Sequence, residues 1–171
     1  MKVKLFILLF ITTFFSGCKS DDNNTLPPAT QTGAGTFACY VNGKAFVDKE
    51  GPPHAYYQLV DGGYYFATGG NSKKLNPRGI YIQTKKKEIF EGETYFLIEE
   101  QEGNAFGGGS FSIAENYYSW TDLEYTGELT ITKLDFEKQI VSGIFWFDLQ
   151  HPKTGERVEI REGRFDTLFT Q

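Results

Sequence analysis

The side chains in this sequence that could stack, bond or react are unevenly gathered. The stretch Asn116-Tyr117-Tyr118-Ser119-Trp120-Thr121-Asp122 sets three aromatic rings among an amide, two hydroxyls and a carboxylate. A sugar-binding surface uses this mixture, with rings on the C–H faces and polar groups fixing the hydroxyls. Tyr117, Tyr118 and Trp120 are therefore candidate ligand-stacking residues, and Tyr56, Tyr57, Tyr64 and Tyr65 could extend the surface. The same residues serve equally well as core and cross-strand pairs.

Other chemistries find less support. His54 and His151 each lie beside a proline in turn-like sequence, without His-Glu-x-x-His or clustered thiolates, so no metal and no cofactor is implied. A Cys39–His54 nucleophile pair would need the fold to bring the two together. Glu99, Glu100, Glu102, Glu115, Asp122 and Glu124 read as solvated strand faces, since glycoside hydrolysis needs two carboxyls about 5–9 Å apart. Asp48, Glu50 and Asp61 lack the spacing of a calcium loop. The glycine-rich run 103–110 has no Lys before its Ser and no helix after it, so it reads as a flexible loop, not a phosphate cradle.

Cysteine supplies the clearest signal. Lys2 and Lys4 precede the apolar run Leu5 to Phe15, which is too short to span a bilayer of about 30 Å and reads as the core of a cleaved leader, residues 1–17. Phe15-Ser16-Gly17-Cys18 resembles a bacterial lipobox. That resemblance implies alkylation of Cys18 by diacylglycerol, cleavage before it and acylation of the new amino terminus. Several acyl chains give stable anchoring where one does not. Lys19, Ser20, Asp21 and Asp22 resemble the short acidic export signal of Bacteroidota surface lipoproteins; a generic acidic tether would look the same. Residues 23–35, rich in Thr, Pro, Asn, Ala and Gly, are expected to be flexible, making 18–35 a lipidated tether. Cys39 is then a lone thiol, read as a small buried hydrophobe.

The remainder, 36–171, is the size of one domain. Without Lys2 and Lys4 the chain from Cys18 to Gln171 holds 15 basic against 22 acidic side chains, a formal charge of −7, which argues against nucleic acid as a partner. Apolar residues alternate with period two. TFACYV, Asn42-Gly43 and KAFV predict a hairpin, as do YYQLV, Asp61-Gly62-Gly63 and YYFAT. Further strands are expected over 79–84, 94–99, 127–136, 139–150 and 157–162, with Gly163 separating the last from RFDTLF. No amphipathic helix stands out, so the expected fold is all-β, a single antiparallel sandwich or barrel-like domain.

The segments FACYVNGKAF (37–46), VSGIFWF (141–147) and TGERVEIREGRFD (154–166) resemble an uncharacterised family of small Bacteroidota lipoproteins. The resemblance implies a leader, a linker, a first hairpin with Asn-Gly and a closing Gly-Arg-Phe-Asp-like segment, but no activity. Asp166-Thr167-Leu168 also resembles an O-glycosylation acceptor of that phylum, which would require Thr167 to be exposed. The functional expectation is an outer-membrane lipoprotein facing outward, held by its N-terminal lipid, that binds a glycan or an envelope or host protein without catalysis. A structural subunit of an outer-membrane complex and a hydrolase are the alternatives.

Overall fold

A computed structural model describes residues 24–51, 54–112 and 117–171; Cys18, Lys19, Ser20, Asp21 and Asp22 lie outside this range. Within it the chain is all-β, as its period-two pattern predicts. Its strands are β1 (Thr36–Val41), β2 (Lys44–Val47), β3 (Ala55–Val60), β4 (Gly63–Asn71), β5 (Gly79–Thr84), β6 (Thr94–Leu97), β7 (Ala105–Ser112), β8 (Tyr117–Trp120), β9 (Gly127–Asp135), β10 (Ile140–Gln150) and β11 (Arg157–Thr170).

The two predicted hairpins form. Asn42 and Gly43 (φ 47° and 76°) and Asp61 and Gly62 (φ 47° and 74°) take the left-handed conformations that a two-residue turn between twisted strands requires.

Strand pairing runs β10-β9-β6-β7-β5-β4-β3-β11, and a β10–β11 ladder joins its ends. The eight strands therefore make a closed, barrel-like circuit. All its contacts are antiparallel except the short parallel β6–β7 and β11–β3 contacts. At those two places the barrel wall forks. β1, extended by β2, shares an edge of β11 with β3, and β8 shares an edge of β7 with β6.

Phenylalanine fills the interior. Phe145 sits 5.3 Å from Phe37, 6.0 Å from Phe147 and 6.4 Å from Phe165, centroid to centroid. Apolar side chains point inward and most charged ones outward, the reverse of a lipid-facing barrel.

Three expectations change. Residues 105–112, most of them in the expected flexible loop 103–110, form β7, and all but the last are buried. Its glycines are there for neighbouring side chains: a Cβ on Gly107 would stand 3.0 Å from the Phe147 ring, and one on Gly109 would stand 2.8 Å from Leu149. Gly163 does not end a strand but lies within the 14-residue β11, because the Phe145 ring occupies the space a side chain would need. The third change concerns the tether. Residues 24–35 are not free but lie as a strap against the domain.

The strap is held at three points. Near its N-terminal end, Asn24 accepts from Ala45 N at 2.7 Å and donates to Gly43 O at 3.3 Å. In the middle, Arg164 donates to Pro27 O at 3.2 Å. At the far end, the fully buried Asp166 carboxylate accepts from Thr30 Oγ1 (2.6 Å), Thr32 N (2.9 Å), Gly33 N (2.8 Å), Ala34 N (3.1 Å) and Ser142 Oγ (2.8 Å). Burial alone would raise the Asp166 pKa. The donors from Thr30, Thr32, Ala34 and Gly33 outweigh it and hold the carboxyl well below the usual carboxylate range. Low apolar content does not leave this segment disordered, because a charged acceptor satisfies three successive amides at once.

Candidate functional site

Pairing register sets five side-chain positions on one outer face of β3, β4 and β5. Tyr56 lies opposite Ala67, Ala67 opposite Gln83, and Gly69 opposite Tyr81. Gly69 lets the Tyr81 ring lie flat: a Cβ there would be 2.7 Å from the ring's Cδ1. Gly79 is similarly covered by the Tyr81 phenol. The loop after β2 adds Asp48, Glu50 and His54 as a rim, and a groove of about 410 Å³ lies between rim and sheet.

Tyr56 is 39% exposed and Tyr81 half-buried, so both rings can offer a face. Asn71 and Gln83 bring amide donors and acceptors, and among the described residues no Lys or Arg lines the groove. Burial raises the Tyr81 pKa, the Ser110 hydroxyl opposing it, so this phenol stays neutral and able to donate. Asp48 accepts from Glu50 N at 2.9 Å, and Glu50 is ion-paired to Lys73 at 2.6 Å. Among the described residues no group of three or more His, Cys, Asp or Glu side chains could hold a metal ion.

The residues expected to stack on a ligand are divided by the fold. Trp120 lies over Gly108 and meets Phe106 edge-on at 5.6 Å, so it serves packing. Tyr117 packs against the core, with Lys153 Nζ 5.5 Å from its ring centroid. Tyr118, opposite Ser110, is 42% exposed and keeps an open face. Tyr57 is buried, Tyr64 stacks on it at 5.1 Å and Tyr65 is not part of the groove lining, which leaves Tyr56 as the tyrosine of that group placed at the groove. Sequence reading did not single out Tyr81; it is one of several tyrosines in strands, and only the register places it opposite a glycine.

The other motifs resolve into structure. His151 Nδ1 accepts from Lys153 N and Thr154 N in a turn, and its ring meets Phe111 at 4.7 Å. Asp122 caps its loop by accepting from Glu124 N and Tyr125 N, and Glu100 and Glu102 pair with Lys85 and Lys86. Cys39 is fully buried, which pushes its thiol pKa far up. Thr167 is also buried (1% exposed), so the glycosylation expectation at Asp166-Thr167-Leu168 fails.

A second surface went unremarked in the sequence. Trp146 on β10 donates to Glu128 at 3.2 Å and lies under Arg161, 5.5 Å from its ring centroid. Phe96, paired with Glu128 in register, is 71% exposed beside them.

Fold and groove together define an all-β, barrel-like domain with an aromatic, polar-rimmed groove. Compared with protein-family models, curated proteins and solved structures, the chain matches none.

Proposed function

We propose that this protein is an outer-membrane lipoprotein whose domain faces outward and binds an uncharged glycan, without catalysis, in the Tyr56–Tyr81 groove. The observation that carries the reading is the pair of tyrosines on one sheet face, Tyr81 flattened over glycine, with Asn71, Gln83, Asp48 and His54 around them. Stacked rings supply affinity that tolerates different sugars, while the rim supplies hydrogen bonds to hydroxyls. Absence of cationic lining disfavours an anionic ligand. Asp48 and Glu50 are engaged in a turn and an ion pair, which supports binding over hydrolysis.

Glycan arrays followed by calorimetry test this reading. Tyr81→Ala and Tyr56→Ala should each weaken binding about tenfold, roughly the 1–1.5 kcal/mol of one aromatic contact. Affinity unchanged in both variants, or an array with no specific hit, would refute it.

The exposed Phe96–Trp146–Arg161 surface supports a second reading, a subunit of an outer-membrane complex, since aromatic and Arg side chains dominate protein interfaces. Crosslinking in intact cells should then recover a fixed partner that Trp146→Ala loses.

A further inference from the structure

We propose a second binding site: Lys44, Lys49, Lys73 and Lys74 form a docking surface for the phosphate groups of the membrane on which the protein sits. The inference rests on the lipid-anchor reading for the identity of that surface. It does not depend on the glycan groove.

The four lysines converge on one groove of about 560 Å³ between β2 and the loop after β4, with Glu50 as the single carboxylate in its lining among the described residues. This is unexpected in a chain of net charge −5. Lys73 pairs with Glu50, while Lys44, Lys49 and Lys74 are exposed and have no ion-pair partner among the described residues. The neighbouring glycan groove shares Glu50 and Asn71 with this one but has no lysine.

Chain geometry gives the lysines their partner. Asn24 lines the lysine groove and is fixed there by Gly43, Ala45 and the Tyr40 hydroxyl. The described part of the chain therefore starts at this groove. Asn24 is six positions from Cys18, a reach of about 20 Å fully extended. Were residues 24–35 free, the reach from Cys18 to β1 would be about 60 Å. The strap removes that slack, because Asp166 and Arg164 hold it along the domain. A diacylglycerol on Cys18 would thus cap the separation at about 20 Å and leave the lysines free to approach within one Debye length of about 8–10 Å, where headgroup charge is felt. Flexible lysines suit this task, acting as point charges toward phosphates of variable position.

The test uses the full lipidated chain in vesicles. Ser72, which lines the groove, is changed to Cys and labelled; Cys39 is buried and stays unlabelled. Quenching by a headgroup nitroxide reports approach to the bilayer. The expected result is stronger quenching with phosphatidylglycerol in the vesicle than with phosphatidylcholine alone, reversed at high salt. Lys44→Gln, Lys49→Gln and Lys74→Gln together should lower the docked-to-undocked ratio by about 100-fold, near fivefold per lysine charge removed. Equal quenching in both vesicles, or no effect of the triple variant, would overturn the proposal. So would saturation by millimolar inorganic phosphate of a label response that ignores lipid composition; the groove would then serve a soluble phosphate compound. A chain held on nickel-chelating lipid by a His tag in place of the acyl groups keeps this test separate. If Cys18→Ser leaves cell fractionation unchanged but the tagged chain still docks, the anchor reading alone fails.

Discussion

Replacing Asp166 by Ala should detach the strap. Its carboxylate receives five hydrogen bonds between 2.6 and 3.1 Å, four from residues 30–34 and one from Ser142. Bonds to a charged acceptor contribute roughly 1.5–3 kcal/mol each, so the gross interaction is on the order of 10 kcal/mol. Ordering five strap residues costs about 5–10 kcal/mol of backbone entropy, most of which a released strap regains. The net loss is then a few kcal/mol, about 3, or a fall in Tm of roughly 6–12 °C for a domain of this size. Thermal unfolding measures it, and hydrogen exchange at Thr32, Gly33 and Ala34 should show protection lost locally. Acidification supplies the sign test. The folded pKa of Asp166 lies below its unfolded value near 3.9, so its contribution is full above that value and is lost as pH falls through the lower folded pKa. The gap between the wild type and Asp166→Ala should therefore be constant near neutrality and narrow below about pH 4. A Tm change under about 2 °C with the three amides still protected, or a gap unchanged down to pH 2, would refute the reasoning.

Cys39 should not react with a thiol reagent in the native chain and should react within minutes in denaturant; rapid native labelling would contradict its burial. Gly127→Ala places a Cβ against the Trp146 carbonyl and the Phe147 backbone, which cannot yield as a side-chain tip could; a loss of about 2–4 kcal/mol is expected by urea unfolding. For the address, Cys18→Ala should move the protein from the membrane to the soluble fraction. Asp21→Ala with Asp22→Ala should leave anchoring intact but abolish cleavage by protease added to intact cells; continued cleavage would reject the export-signal reading.

Strand-level structure was readable because each strand carries its own evidence. Asn42-Gly43 and Asp61-Gly62 specify their turns locally, and alternation such as Leu129/Ile131 against Thr130/Thr132 names the inward face without reference to a partner. Glycine misled for the same reason. In 105–112 and at Gly163 its local meaning is flexibility or a break, whereas here it makes room for Phe147, Leu149, Trp120 and Phe145, which come from other strands. Trp120 looked like a ligand-stacking residue until Gly108 and Phe106 appeared beneath and beside it.

By itself the sequence determined the all-β class, the two hairpins and the inward face of strands such as β9, all features written in a few adjacent residues. Tertiary structure alone decided the barrel closure, the flattened Tyr81 and the docking of residues 24–35. The strap shows why. Its Thr, Gly and Ala amides have no apolar surface to bury and read as disordered, yet their acceptor, Asp166, lies more than 130 residues away. A carboxylate that far along the chain leaves no local signal, and only β11 folding beside β1 brings it within reach.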